Sequence, residues 1–162
     1  MGNTLVKTQL NDVKEFLTRT ISTLEEFLNE TTISQLKVES EEDRSYIKLI
    51  FSNLRKLVVY SEEGLEACVV LLQGEPFQKA AAEKTLYRIY HQCIEEFFSP
   101  KNDSWFENSR SAYTGRNSIK FYRNVPENVE QLIKSLESDF QRIREELEYY
   151  ETDYRTKMLQ SK

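Results

Sequence analysis

The sequence predicts a mainly α-helical protein: four amphipathic helices closing as an antiparallel four-helix bundle, with a long 99–125 connection that has room for a small β-hairpin. Three observations carry this reading. Apolar residues recur at steps of three and four through four separate stretches, the mark of helices that bury one face. The chain holds only four glycines and three prolines, and Pro76 and Pro126 stand where a helix can begin. At 162 residues, 39% hydrophobic and 30% charged, it is long enough to bury roughly 70% of its unfolded surface as one domain, 1–162.

The first helix is placed at about 4–29. Val6, Leu10, Val13, Leu17, Leu24 and Phe27 form its stripe, and "NETT" supplies a stop. The stretch that follows has little helical logic; "TISQLKV" within it reads as a candidate strand, and its closing acidic run suits a helix N-terminus. The second helix is placed at about 43–73, on a stripe running from Ile47 through Leu57 to Leu72. Gly64 inside it costs about 1 kcal/mol against Ala, so it marks either a bend or a close approach.

"QGEPF" reads as punctuation, with Gly74 as the left-handed residue after a helix end and Pro76 in the first turn of the next. The third helix, about 76–98, carries an apolar arc of roughly 180°, wide enough to touch more than one neighbour. The small run Ala80–Ala82 would let one approach closely. The fourth, about 126–159, opens on Pro126 with Glu127 and Glu130 in its first turn. From Val129 through Phe140 and Leu147 to Met158 its apolar residues step 4-3-4-3-4-3-4-4, the cleanest heptad seam in the chain. At ~1.5 Å per residue it would be about 50 Å long, well beyond the third helix.

The connection from 99 to 125 far exceeds the ~2–8 residues usual between bundle helices. "SIKFYRNV" alternates closely enough for a short strand, and "YTGRN" is a turn-like cluster that could form a hairpin with it.

The formal charge is −5, against a general grip on phosphate backbones, so duplex nucleic acid is not expected as a partner. That charge is uneven: 99–125 carries Lys101, Arg110, Arg116, Lys120 and Arg123 against Asp103 and Glu107. The longest aliphatic run, Val69–Leu72, is far short of the ~20 residues a membrane span needs. The N-terminus has no basic-then-apolar plan of a signal peptide, and Val6 stands where a myristoylation motif wants Ser or Thr. The expectation is a cytoplasmic protein, monomer or homodimer, with no membrane contact. Cys68 and Cys93 fall among apolar helical neighbours, as buried thiols rather than a disulfide.

The stretch "GEPFQKAAAEKTLYRIYHQCIEEFFSPKNDSWFENSRSAYTGRNSIKF" and the tail "REELEYYETDYRTKM" resemble the YpuI family of Bacillus and relatives, an uncharacterised family about this long. The resemblance implies a cytoplasmic protein of low-GC Gram-positive bacteria. It brings no catalytic residue and no cofactor.

The lone histidine, His91, lies at the rim of the third helix's arc, four residues after Tyr87 and four before Glu95. A His–Glu pair at that spacing can bind a metal or move a proton; the favoured reading is a boundary histidine satisfied by a neighbouring carboxylate. One histidine cannot supply the two Glu-x-x-His motifs of a di-iron bundle. Cys93 and His91, at i and i+2, point apart on a helix and make no nucleophile–base pair. Helical RNases of the HEPN type resemble the chain in length and helix count, but their Arg-x(4–6)-His motif is missing. No phosphate-cradling glycine motif is present. Cofactors and metals are therefore not expected.

Two readings of 99–123 stand side by side. In one, Trp105, Phe106, Tyr113, Phe121 and Tyr122 plug a bundle end. In the other, Trp105, Arg110, Tyr113, Arg116 and Lys120 form a recognition surface, since aromatic anchors and arginines suit protein contacts. The leading functional expectation is a non-enzymatic interaction or adaptor module presenting 99–123 to a protein partner. The alternative is a small ligand-binding protein or enzyme with a pocket between Tyr87, His91 and Glu95 and the basic-aromatic segment. A concave pocket there would favour the second.

Overall fold

A computed structural model describes residues 2–108 and 117–160. The protein is mainly helical, with 76% of the described residues in helix, and carries one small two-stranded antiparallel sheet. Among the described residues no helix is long and apolar enough to cross a membrane.

Helix α1 spans Asn3–Glu30 and α2 spans Glu41–Gln73. The second starts ahead of its apolar stripe because Ser40 caps it. The Ser40 side chain accepts from the Asp43 amide at 3.0 Å, and Glu41, Glu42 and Asp43 lie at the positive end of the helix. Between the two helices "TISQLKV" is not a strand: Ile33–Gln35 forms a 3₁₀ turn. Thr32 and Gln35 close a capping box, with Gln35 Oε1 accepting from the Thr32 amide at 3.0 Å. That local bonding competes with strand pairing.

The punctuation at 73–77 takes a different form from the one its composition predicts. Gly74 is extended (φ −69°, ψ 137°), not left-handed, and Pro76 lies ahead of the helix rather than in its first turn. Phe77 packs on the core with the Lys7 ammonium 5.0 Å from its ring centre, and this holds the chain out of helical path until α3 begins at Lys79. Helix α3 runs Lys79–Ile89, a π turn follows at Tyr90–Ile94, and α4 completes the rod at Glu95–Phe98. In the π turn the Glu95 amide reaches back five residues to the Tyr90 carbonyl. The extra residue rotates the face, so that Ile89 and Tyr90 before it and Phe97 and Phe98 after it are all buried. Of the alanine run only Ala82 is buried.

The long last helix breaks. Helix α5 spans Glu127–Glu146, a 3₁₀ turn takes Glu148–Tyr150, and α6 resumes at Asp153–Gln160. The cause is a tertiary tyrosine cluster. The Tyr150 hydroxyl donates to Gln9 Oε1 at 3.0 Å, and its ring meets those of Tyr149 and Tyr154 at 5.1 and 5.5 Å. Tyr154 in turn meets Tyr87 at 5.4 Å. Leu136, Phe140, Ile143 and Leu147 are buried together, as the seam predicts, whereas Met158 is 39% exposed.

Helix α1 packs on α2, α3 and α5, α2 packs on α3, and the π turn meets both α2 and α5. Phe140 sits at the middle of this core, stacked on Phe97 at 4.0 Å and edge-on to Phe16 at 4.8 Å. Gly64 marks a close approach: a Cβ there would meet Leu17 and Ile89 side chains at 3.1 Å each, so three helices converge on it.

Candidate functional site

The 99–125 connection is tied to the helices at both described ends. Strand β1 (Phe106–Glu107) pairs antiparallel with β2 (Ile119–Lys120), Phe106 opposite Lys120 and Glu107 opposite Ile119. The strand expected in "SIKFYRNV" is thus present, but it is two residues long and its partner is "FE". Most of "YTGRN" lies outside the described residues; its last residue, Asn117, has φ 54°.

Trp105 is 1% exposed. Its indole N–H donates to the Phe97 carbonyl at 2.5 Å, satisfying one of the carbonyls a helix end leaves open. The Tyr46 hydroxyl on α2 joins both legs of the connection: it donates to the Ser104 carbonyl and accepts from the Tyr122 amide at 3.0 Å. On α5 the buried Glu137 carboxylate accepts from the amides of Asn117 and Ser118 at 2.8 and 2.7 Å, and from the Ser118 hydroxyl. Arg123 bonds Asp43 at 2.7 Å and Glu42 at 3.2 Å. The Arg123 guanidinium holds the Asp43 carboxyl below its usual range, helped by the Ser40 hydroxyl.

Beside this docked segment lies a cleft of about 970 Å³. Tyr90, Ile94 and Phe98 give it an apolar floor. The π turn and α4 form one wall, and the end of α5 with the following 3₁₀ turn forms the other. Ser99, Lys101 and Glu107 from the connection close one side. Arg144 holds that side in place: its guanidinium donates twice to Glu107, at 3.0 and 2.8 Å, and lies 3.6 Å above the Phe98 ring. This fork is bidentate and only 23% and 16% exposed, the stronger class of ion pair.

His91 stands in this cleft, with Nδ1 2.9 Å from Glu95 Oε2. Its ring meets Tyr87 at 4.4 Å and Tyr90 at 5.4 Å, and its Nε2 is buried without a hydrogen-bond partner among the described residues. Tyr90 is 3% exposed, and its phenol is pushed up to about 12, first by burial and then by Glu151 and Glu95. It therefore keeps its proton.

Of the residues singled out in the sequence, the structure brings Tyr87, His91 and Glu95 together on one face. Trp105 is inside, and Lys120 is half-buried on β2. Arg110, Tyr113 and Arg116 lie outside the described residues. Among the cleft residues that the sequence did not mark as a site are Tyr90, Phe98, Arg144, Glu148 and Glu151. Cys68 and Cys93 are free and buried, and burial pushes both thiols up to about 12, far from a reactive thiolate. Among the described residues no group of three or more His, Cys, Asp or Glu is placed to hold a metal ion. A second groove of about 960 Å³, between 35–39 and 124–131, contains none of the buried side-chain polar atoms that lack a partner.

Residues 10–156 match the family described as "Protein of unknown function (DUF3907)". The chain is 48% identical over 151 residues to "Uncharacterized protein YpuI" of Bacillus subtilis (strain 168), covering 93% of this chain and 84% of that relative. No solved structure matches. The chain belongs to the DUF3907 family.

Proposed function

We propose that this member of the family is a ligand-binding protein whose site is the cleft at the π turn, carried on a single domain in which four long helices form an antiparallel bundle. The observation that carries the reading is the cleft itself. It is lined by His91 and Glu95 together with Ser99, Lys101 and Glu107 of the connection, and its volume of about 970 Å³ is within the usual range for small-molecule sites. The π turn supports it, since an i→i+5 turn costs regular helix geometry and recurs at functional sites. Binding is favoured over catalysis by the state of His91. Its Nδ1 is taken by Glu95 and its Nε2 is shut from solvent, so the pair orients the ring instead of exchanging a proton with a bound molecule.

A second reading keeps the protein partner. Phe106 and Tyr122 stack at 4.9 Å on the outside of the hairpin, 36% and 56% exposed, and an exposed aromatic pair is a suitable anchor for a protein contact. The two are separated by amide-resolved NMR of the full chain against a library of cationic, neutral and anionic fragments. Shifts centred on 90–99 and 141–151 are expected. Shifts absent there, with fragments seated only on 106–107 and 119–122, would overturn the cleft in favour of the hairpin.

A further inference from the structure

We propose that the protein pairs with a second copy of itself along residues 36–40, the two segments forming an antiparallel ribbon about a symmetry axis at Val38, each lying in the groove beside the other.

The segment that links the 3₁₀ turn to α2 is extended and open along one edge. Leu36 (φ −82°, ψ 123°) and Ser40 (φ −98°, ψ 150°) are extended at its two ends, and Lys37, Val38 and Glu39 between them belong to no helix or strand. Burial alternates as in a half-buried strand: Leu36 and Val38 pack on the core, while Lys37 and Glu39 are exposed. The Leu36 amide donates to the Ile33 carbonyl and the Val38 amide to the Leu36 carbonyl at 2.9 Å. The amides and carbonyls of Lys37 and Glu39 make no hydrogen bond among the described residues. In an antiparallel pair every second residue exchanges both its backbone bonds with the residue opposite, and Lys37 and Glu39 leave that set free. Such an edge is a template for another strand.

The charges select the occupant. Pairing about Val38 sets Lys37 opposite Glu39 of the second copy, twice by symmetry, so the four free backbone groups of one copy meet the four of the other. The same surface serves both copies, as a closed symmetric dimer requires. Moving the register by two residues sets Lys37 opposite Lys37 or Glu39 opposite Glu39, and a parallel in-register pair does both; like charges directly opposite are destabilising. A slip of one residue sets the apolar face of one copy against the charged face of the other.

The groove of about 960 Å³ gives the second segment its place. It is lined by Leu36, Val38, Val125 and Pro126, with the start of α5 on its far side, and it shares no lining residue with the cleft at the π turn. The dimer and the ligand-binding reading therefore stand or fall separately. A ribbon this short buries less than a standard interface, so association is weak and rises with concentration.

The test is sedimentation velocity of the full chain between about 1 and 500 μM, with amide-resolved NMR over the same range. A reversible monomer–dimer equilibrium is expected, with concentration-dependent shifts on 36–40 and 124–128. Lys37→Glu alone and Glu39→Lys alone set like charges opposite, and each should weaken association at least tenfold. The double exchange Lys37→Glu/Glu39→Lys restores opposite charges and should return association to within threefold of wild type. Glu39→Pro removes an amide that the single chain leaves unbonded, and it should abolish the dimer while circular dichroism stays that of the wild type. A chain that stays monomeric throughout would overturn the proposal. So would single exchanges that associate like wild type, a double exchange no stronger than either single one, or dimer shifts confined to 106–107 and 119–122. A monomeric chain whose 36–40 amides move on adding a capped hexapeptide of alternating Thr and Val would give the groove to an extended peptide and overturn the second copy equally.

Discussion

Tyr46 and Tyr90 are both buried tyrosines, 7% and 3% exposed, and they differ in what meets the hydroxyl. Tyr46 joins α2 to the two legs of the connection, with Ser104 on one side and Tyr122 on the other. The Tyr90 hydroxyl has no partner among the described residues but is not one of the side-chain atoms shut from solvent without one, and Glu95, Glu148, Glu151 and Arg144 make the field around it. Burial raises the pKa of both phenols, so neither ionises near neutral pH. One hydroxyl is spent on the fold and the other is left to solvent. The regions around them follow the same division. Around Tyr46 the carboxylates of Glu137, Glu107 and Asp43 are each met by amides or guanidinium. Around Tyr90 the carboxylates outnumber their partners. Buried polar groups are normally satisfied; among the described residues the exceptions are the Asn53 amide, the Ser61 hydroxyl and His91 Nε2, and of these His91 alone lines the cleft.

The largest expected effect lies in the docked region. Trp105→Ala removes the bulkiest fully buried side chain, opens a cavity against Phe97 and Phe121, and strips the Phe97 carbonyl of its donor. A loss of about 3–5 kcal/mol is expected in urea unfolding. A midpoint near the wild-type value would mean that the connection is only laid on the helices, and the contrast with the cleft would collapse.

Tyr46→Phe tests the same region without a cavity. It leaves the Ser104 carbonyl and the Tyr122 amide without their shared partner, so about 1–3 kcal/mol should be lost. Hydrogen exchange should quicken at the Tyr122 amide, while that of the π turn stays as it was. An unchanged Tyr122 amide would show that water replaces the hydroxyl.

The division between these regions was only partly legible in the sequence. The stripes of α1 and α2 gave their boundaries to within two residues, and the seam of α5 gave its core. Thr32-x-x-Gln35 carried a capping box that a strand reading overlooked. The π turn left no mark, because "YHQCI" contains neither Gly nor Pro and a five-residue backbone bond has no composition of its own. The break after Glu146 is equally silent. It is set by where Tyr150 finds Gln9 and where Tyr154 finds Tyr87, contacts made with α1 and α3, far away in the chain. Those two irregularities shape the cleft. Spacing at i, i+4 could therefore pair His91 with Glu95, but it did not single out Tyr90, Phe98, Glu148 or Glu151. Trp105 stood in both readings of 99–123, as a plug and as a recognition surface, and it is interior.

The smallest expected effect is the most discriminating. Tyr90→Phe makes the same chemical change as Tyr46→Phe, at a residue buried at least as deeply. The ring keeps its packing against His91 at 5.4 Å, and the hydroxyl removed leaves no described group unpaired. The variant should unfold within about 0.5 kcal/mol of wild type, the usual range for a substitution that breaks no structural feature. Paired measurements of both variants in urea then give a difference of about 1 kcal/mol or more between two identical deletions. That difference is the worth of a partnered hydroxyl over an unpartnered one. If Tyr90→Phe costs as much as Tyr46→Phe, its hydroxyl is engaged in solution by an ordered water or a side chain that pins the π turn. The cleft would then be structure, like the connection beside it.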